Sequence, residues 1–198
     1  ALSENNKPDW GTCPAENTTP ITDTNFQTAI NECLTTNPED GMCSESEYGA
    51  MPDWDVSQVT DMSYAFTQIV NFNGDISDWD VSNVTNMVGM FYNASSFNQD
   101  ISNWDVSSVT TMKYMFVEAL AFNTDISNWD VSNVNDMTYM FGSASSFNVD
   151  ISDWDVSNVT NMRNMFSDAL AFNQDIGSWD VSSVNSINDI FNNSALST

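Results

Sequence analysis

The chain repeats itself every 25 residues, a period that commits it to an array of small units burying apolar surface against one another. Trp54, Trp79, Trp104, Trp129, Trp154 and Trp179 keep this step, and each is followed by Asp-Val-Ser. Val59, Val84, Val109, Val134, Val159 and Val184 keep it too, as do Met62, Met87, Met112, Met137 and Met162, with Ile187 closing the series. Two phenylalanine columns run from Phe66 to Phe191 and from Phe72 to Phe172, and every member of the second is followed by Asn and then, one residue on, by Asp-Ile. No single unit can bury its own Trp, Phe and Met. Stacking can, since each aromatic removes on the order of 150–250 Å² from water.

Within a unit, Asp100-Ile101-Ser102-Asn103-Trp104-Asp105-Val106 is rich in β-formers, but Ile101 and Trp104 differ in parity, so a turn or bulge must separate them if both point inward. Val109, Met112, Met115-Phe116 and Ala119 follow at helical spacing, which predicts a short α-helix or 3-10 turn capped by Asp105, Ser107 or Ser108. The expected fold is an α/β repeat solenoid of six coils, each with a short strand and a short helix or 3-10 turn. At β-type spacing it would stand roughly 29 Å tall. The expected organisation is a cap over residues 1–50 and the six-coil stack over 51–198. Phe26, Ala29-Ile30 and Cys33-Leu34 mark the inner face of a cap helix starting near Asp23 or Thr24. At the other end Ile replaces Met at 187 and 190 and Asn192-Asn193-Ser194 follows, a degenerate last turn that softens an exposed edge.

The phrase Ser-Phe-Asn-Gln-Asp-Ile-Ser-Asn-Trp-Asp-Val-Ser-Ser-Val-Thr-Thr-Met, from Ser96 to Met112, resembles the 26-residue repeat of bacterial surface proteins called BspA-like, treated as divergent leucine-rich repeats. The likeness runs over residues 50–192, and the segment from Asn25 to Gly49 also resembles what precedes such repeats. Each unit here is one residue shorter, which should tighten one corner. The resemblance implies a leucine-rich-repeat-like solenoid and a secreted or cell-surface location. It bears on function loosely, through the adhesins among the family's members.

Charge and residue choice narrow the function. Against 28 acids stand only Lys7, Lys113 and Arg163, a net charge of −25 that repels phosphate backbones and anionic lipid, so nucleic acid is excluded as a partner. No apolar stretch is long enough for direct membrane insertion as a helix. The absence of histidine removes the usual general base, the common nucleophile arrangements and every His-containing metal site, and the expectation is no enzyme. Cys33 and Cys43 flank the turn-rich Asn37-Pro38-Glu39-Asp40-Gly41, which could bring them together as a disulfide, with Cys13 free or paired elsewhere. A disulfide points to an oxidising compartment, secreted or at the cell surface; three reduced thiols would point to the cytosol.

Two acidic columns, Asp55 to Asp180 and Asp75 to Asp175, should stack with carboxylates about 5 Å apart, repelling by roughly 0.8 kcal/mol even at water's dielectric. Either each Asp accepts backbone N–H bonds at its corner, or Ca²⁺ sits among them. The candidate ligands for calcium, the one cofactor considered, are Asp75, Asp78, Asp80, Asp100, Asp105, Asp125, Asp130, Asp150, Asp153 and Asp155. No EF-hand Gly or terminal Glu accompanies Asp78-x-Asp80. The asparagines at 73, 98, 123, 148 and 173 read as a ladder bonding the neighbouring coil's backbone. Recognition is better sought where the repeat varies: Tyr64, Lys113, Tyr114, Tyr139 and Arg163 occupy changing positions, with Tyr114 and Tyr139 adjacent in the stack. Aromatics among adaptable polar groups suit a protein or glycan on a cell or matrix surface. End-to-end or edge self-association is a further way a stack could find partners. The leading expectation is an adhesion or ligand-binding module; a calcium-dependent structural or cation-binding protein is the alternative.

Overall fold

The computed structural model describes residues 19–197. Helix α1 (Phe26–Thr36) buries Phe26, Ala29, Ile30, Cys33 and Leu34, the face expected from their spacing, and begins two to three residues later than expected. Cys33 and Cys43 are joined in a disulfide with Cα atoms 5.2 Å apart. Cys13 lies outside the described residues.

Beyond α1, residues 25 apart sit on one another in register. Single parallel bridges link Asp61, Asn86, Thr111, Asp136, Asn161 and Ser186 in succession. Phe66, Phe91, Phe116, Phe141, Phe166 and Phe191 form a continuous column of near-parallel rings with steps of 5.4–5.8 Å. Inside each unit the second phenylalanine lies flat on the first, as in Phe116–Phe122 at 3.8 Å. From Trp79 onward each indole reaches back one unit: Trp104 Nε1 donates to the Ile76 carbonyl and Trp129 Nε1 to Ile101, both at 3.1 Å and buried. One contiguous core runs from Ile21 to Trp179.

The units contain no regular strand and no α-helix; where a short helix or 3-10 turn was expected, three-residue turns follow one another. The only regular elements described are α1 and 3-10 turns at Met51–Asp53 and Ala195–Ser197. Between them each unit is a chain of overlapping turns, for example Ala65 N to Met62 O, Thr67 N to Tyr64 O and Ile69 N to Phe66 O. Turns that close every three residues place apolar side chains at nearly helical intervals, which is why the spacing imitated a helix. Two residues per unit have left-handed backbone, Tyr64 and Gln68 in the first and Asp189 and Asn193 in the last, so no helix can propagate.

Those left-handed residues have a structural return. Flipping every second peptide lets Met62, Tyr64, Phe66 and Gln68 all donate to the next unit, at Asn86, Val88, Met90 and Tyr92. The same peptides continue the chain: Met87, Gly89, Phe91 and Asn93 donate onward to Thr111, Lys113, Met115 and Val117. Four files of head-to-tail peptides therefore run along the stack, each dipole polarising the next.

The first unit has no predecessor of its own kind, and the segment around α1 imitates one. In later units the Thr85 amide and hydroxyl both point at the Thr60 carbonyl. In the first, Thr60 N and Asp61 N donate to Asp23 Oδ1 and the Thr60 hydroxyl to Asp23 Oδ2, at 2.7, 3.1 and 2.7 Å. Likewise Asn98 N donates to the Asn73 side chain, whereas Asn73 N donates to the Glu39 carbonyl. This loop approaches so closely that a Cβ on Gly74 would lie 2.5 Å from the Asp40 carbonyl oxygen. At the far end Val181 and Ile187 are exposed, the apolar side of the last described unit.

Candidate functional site

The left-handed positions that organise the stack also line up in two columns on one side of it. Tyr64, Gly89, Tyr114, Tyr139, Asn164 and Asp189 occupy one such column and Gln68, Asn93, Glu118, Ser143, Asp168 and Asn193 the other. From Tyr64 to Asp168 their amides are held by the next unit, so the ladder does not depend on the side chains, which vary. Between the two columns lies an open groove of about 650 Å³, lined by Tyr64, Gln68, Tyr92, Tyr114, Glu118, Tyr139, Ser143 and Asp168, with Thr67, Val117, Gly142 and Ser167 between them.

Three of the five residues singled out for recognition, Tyr64, Tyr114 and Tyr139, are thus brought into one groove. The Tyr64 ring lies over Gly89, where a Cβ would come within 2.5 Å of it, and Tyr139 crowds Gly142 in the same way at 2.9 Å. Glycine at these two places makes room for rings laid along the surface. Tyr114 and Tyr139 pack with centroids 5.8 Å apart, tilted by 42°. Lys113 stands outside the groove lining with its Nζ over the Tyr114 ring, 4.8 Å from the ring centre, a cation–π contact. Arg163 also lies outside it: exposed, in the unit after Tyr139, whose amide bonds the Arg163 carbonyl at 2.9 Å.

Sequence reasoning missed the second column. Gln68, Glu118, Ser143 and Asp168 vary as freely as the first, and that variation was the available signal. Only the alternation of peptide flips reveals that positions four residues apart face the same groove. Asp168 is held in place, Oδ1 accepting from Asn193 Nδ2 at 2.7 Å and Oδ2 from the Ser167 hydroxyl at 3.2 Å.

The acidic columns are arranged differently. Asp75, Asp80, Asp100, Asp105, Asp125, Asp130, Asp150 and Asp155 each turn Oδ1 onto the amide two residues ahead, at 3.0–3.1 Å. In Asp75, Asp80 and Asp105 the same oxygen also takes the serine hydroxyl, at 2.6–2.7 Å. This is the Asx-turn arrangement repeated down the stack. Serine hydroxyl and amide donation hold the carboxyls of Asp55, Asp75, Asp80, Asp100, Asp105 and Asp155 below the usual carboxylate range. In Asp125, Asp150 and Asp180 the amide leads and the hydroxyl adds to it. Asp78 and Asp153 are exposed beside the tryptophans. Asp150 and Asp175 share a surface recess of about 280 Å³, but among the described residues no three acidic or cysteine side chains converge as a metal site would require. The asparagine column forms an exposed ladder, Asn123 N to Asn98 Oδ1 and Asn148 N to Asn123 Oδ1 at 2.8 Å.

The model of a family described as "Mycoplasma protein of unknown function, DUF285" matches residues 40–148 and, in a second match, residues 102–197. The chain belongs to the DUF285 family. The matches cover all the stacked units and every groove residue, while α1 precedes them. The DUF285 description carries no activity, and neither a curated protein nor a solved structure matches this chain.

Proposed function

We propose that this DUF285 chain is a non-catalytic adhesion or ligand-binding module, acting outside the cell or on its surface, with the tyrosine groove as its recognition site. The observation that carries the reading is the concentration of Tyr64, Tyr92, Tyr114 and Tyr139 in one groove built from positions the architecture leaves free. Tyrosine offers a large, stiff contact area at small entropic cost, and Gln68 and Ser143 around it supply adaptable hydrogen bonding. The stacked units read as a leucine-rich-repeat-like solenoid of the BspA-like kind, a shape that suits display of an extended binding surface. The Cys33–Cys43 disulfide supports an oxidising location. Acids that recur in every unit and bond their own turns are poor candidates for a catalytic pair, which would be a local exception.

The test is binding of labelled protein to host-cell or extracellular-matrix surfaces. A triple variant, Tyr64→Asn, Tyr114→Asn and Tyr139→Asn, should keep the fold, because Asn164 already occupies this column with φ of 53°. Loss of surface binding with an unchanged melting temperature is expected. Equal binding by the variant would place recognition elsewhere.

A further inference from the structure

We propose that the groove's ligand is a neutral linear polysaccharide lying along the stack axis, an inference that rests on the groove being a recognition site. The argument begins with charge. A chain of net charge −25 repels polyanions at long range, so an acidic glycan or phosphate polymer would meet a barrier that salt must screen. The charged residues of the lining itself are Glu118 and Asp168, and Lys113 stands outside it against the Tyr114 ring. Among sugar polymers, that field favours a neutral chain over an acidic one.

The groove's chemistry alternates in the way a sugar chain does. A pyranose offers an apolar C–H face and an equatorial rim of hydroxyls. Tyr114 and Tyr139 provide ring faces at successive units, 5.8 Å apart, close to the length of one sugar along a chain. Glu118 and Asp168 provide carboxylates that accept O–H with the strength of charge-assisted bonds, and Asp168 is already oriented by Asn193. The lining extends from Tyr64 in the first unit to Asp168 in the fifth, through unit steps of 5.4–5.7 Å, which accommodates several sugars rather than one. The backbone beneath is fixed by inter-unit hydrogen bonds, so the platform is formed before the ligand arrives and little ordering opposes binding.

The experiment is native electrophoresis of the intact chain through gels containing soluble xylan, mixed-linkage β-glucan, galactomannan or glycol chitin, with polygalacturonate and a polylysine titration as charged comparisons. Retardation by at least one neutral polymer is expected, unchanged by moderate salt. The Tyr114→Asn/Tyr139→Asn double variant should weaken it by about tenfold or more, two ring contacts being lost. Glu118→Gln should weaken it less, and both variants should melt with the wild type. No retardation by any neutral polymer, retardation indifferent to the tyrosines, or binding only to a charged polymer with steep salt dependence would overturn the proposal. If tyrosine-dependent binding to cell surfaces survives while every neutral polymer fails, the ligand class is wrong and the adhesion reading stands. If both fail, the groove is not a recognition site.

Discussion

Phe116→Ala and Phe191→Ala remove the same side chain from two places in one column, and the stack assigns them different losses. Phe116 is fully buried and touches four rings: Phe91 at 5.5 Å, Phe122 at 3.8 Å, Trp129 at 6.4 Å and Phe141 at 5.7 Å. Truncation there leaves a cavity walled by those rings and by the rigid ladder of backbone bonds, which cannot collapse, so the loss should fall in the upper part of about 3–5 kcal/mol. Phe191 is partly buried and has one ring neighbour in its column, Phe166 at 5.8 Å. About half the transfer free energy and one ring contact are at stake, giving about 1.5–2.5 kcal/mol. Urea unfolding followed by tryptophan fluorescence reads both, because every unit carries a Trp. In a quasi-one-dimensional array the central defect should also uncouple the units on either side, broadening the transition, whereas the terminal one should only shift it. Equal losses within about 0.5 kcal/mol, or a sharp two-state transition for Phe116→Ala, would refute the nearest-neighbour account of the fold.

The nine corner aspartates held below the ordinary carboxylate range, and Asp23 with them, contribute stability that is complete above their unfolded value, near 3.9, and lost as pH falls through their lower folded values. Thermal melts should therefore hold from neutrality towards pH 5 and decline below about pH 4; a melting temperature flat down to pH 2 would contradict this. Asp23→Ala should lower stability by about 1 kcal/mol and speed hydrogen exchange of the Thr60 and Asp61 amides, with Asp23→Asn intermediate because its Oδ1 still accepts. Millimolar Ca²⁺ should raise the melting temperature no more than Mg²⁺ at equal ionic strength; a calcium-specific rise would show that the acidic columns assemble a site.

Part of the candidate site could be read from the repeat by looking for what does not repeat. Tyr64, Tyr114 and Tyr139 stood out that way, and the groove contains all three. Lys113 and Arg163 stood out equally but flank it, because adjacent residues on a turn diverge. Glu118 and Asp168 escaped notice since linking them to the tyrosines requires knowing that two left-handed residues four apart share a surface. Nothing in residue spacing encodes the sign of φ at a tyrosine or a glutamate.

By itself the sequence determined which residues lie on which. A 25-residue period in Trp, Met and Phe leaves only one register in which every apolar column is buried, and slipping it would expose them all. It also placed the buried face of α1 and the Cys33–Cys43 pair, both local consequences of spacing and a turn. Tertiary structure alone decided the path of the backbone within a unit. There, four inter-unit hydrogen bonds per unit outweigh the about 1–2 kcal/mol strain of each left-handed residue, and that balance exists only once a neighbouring unit is present. The same dependence explains Asp23 and the Glu39 carbonyl: they are ordinary polar groups until the first unit needs a partner that is not another repeat.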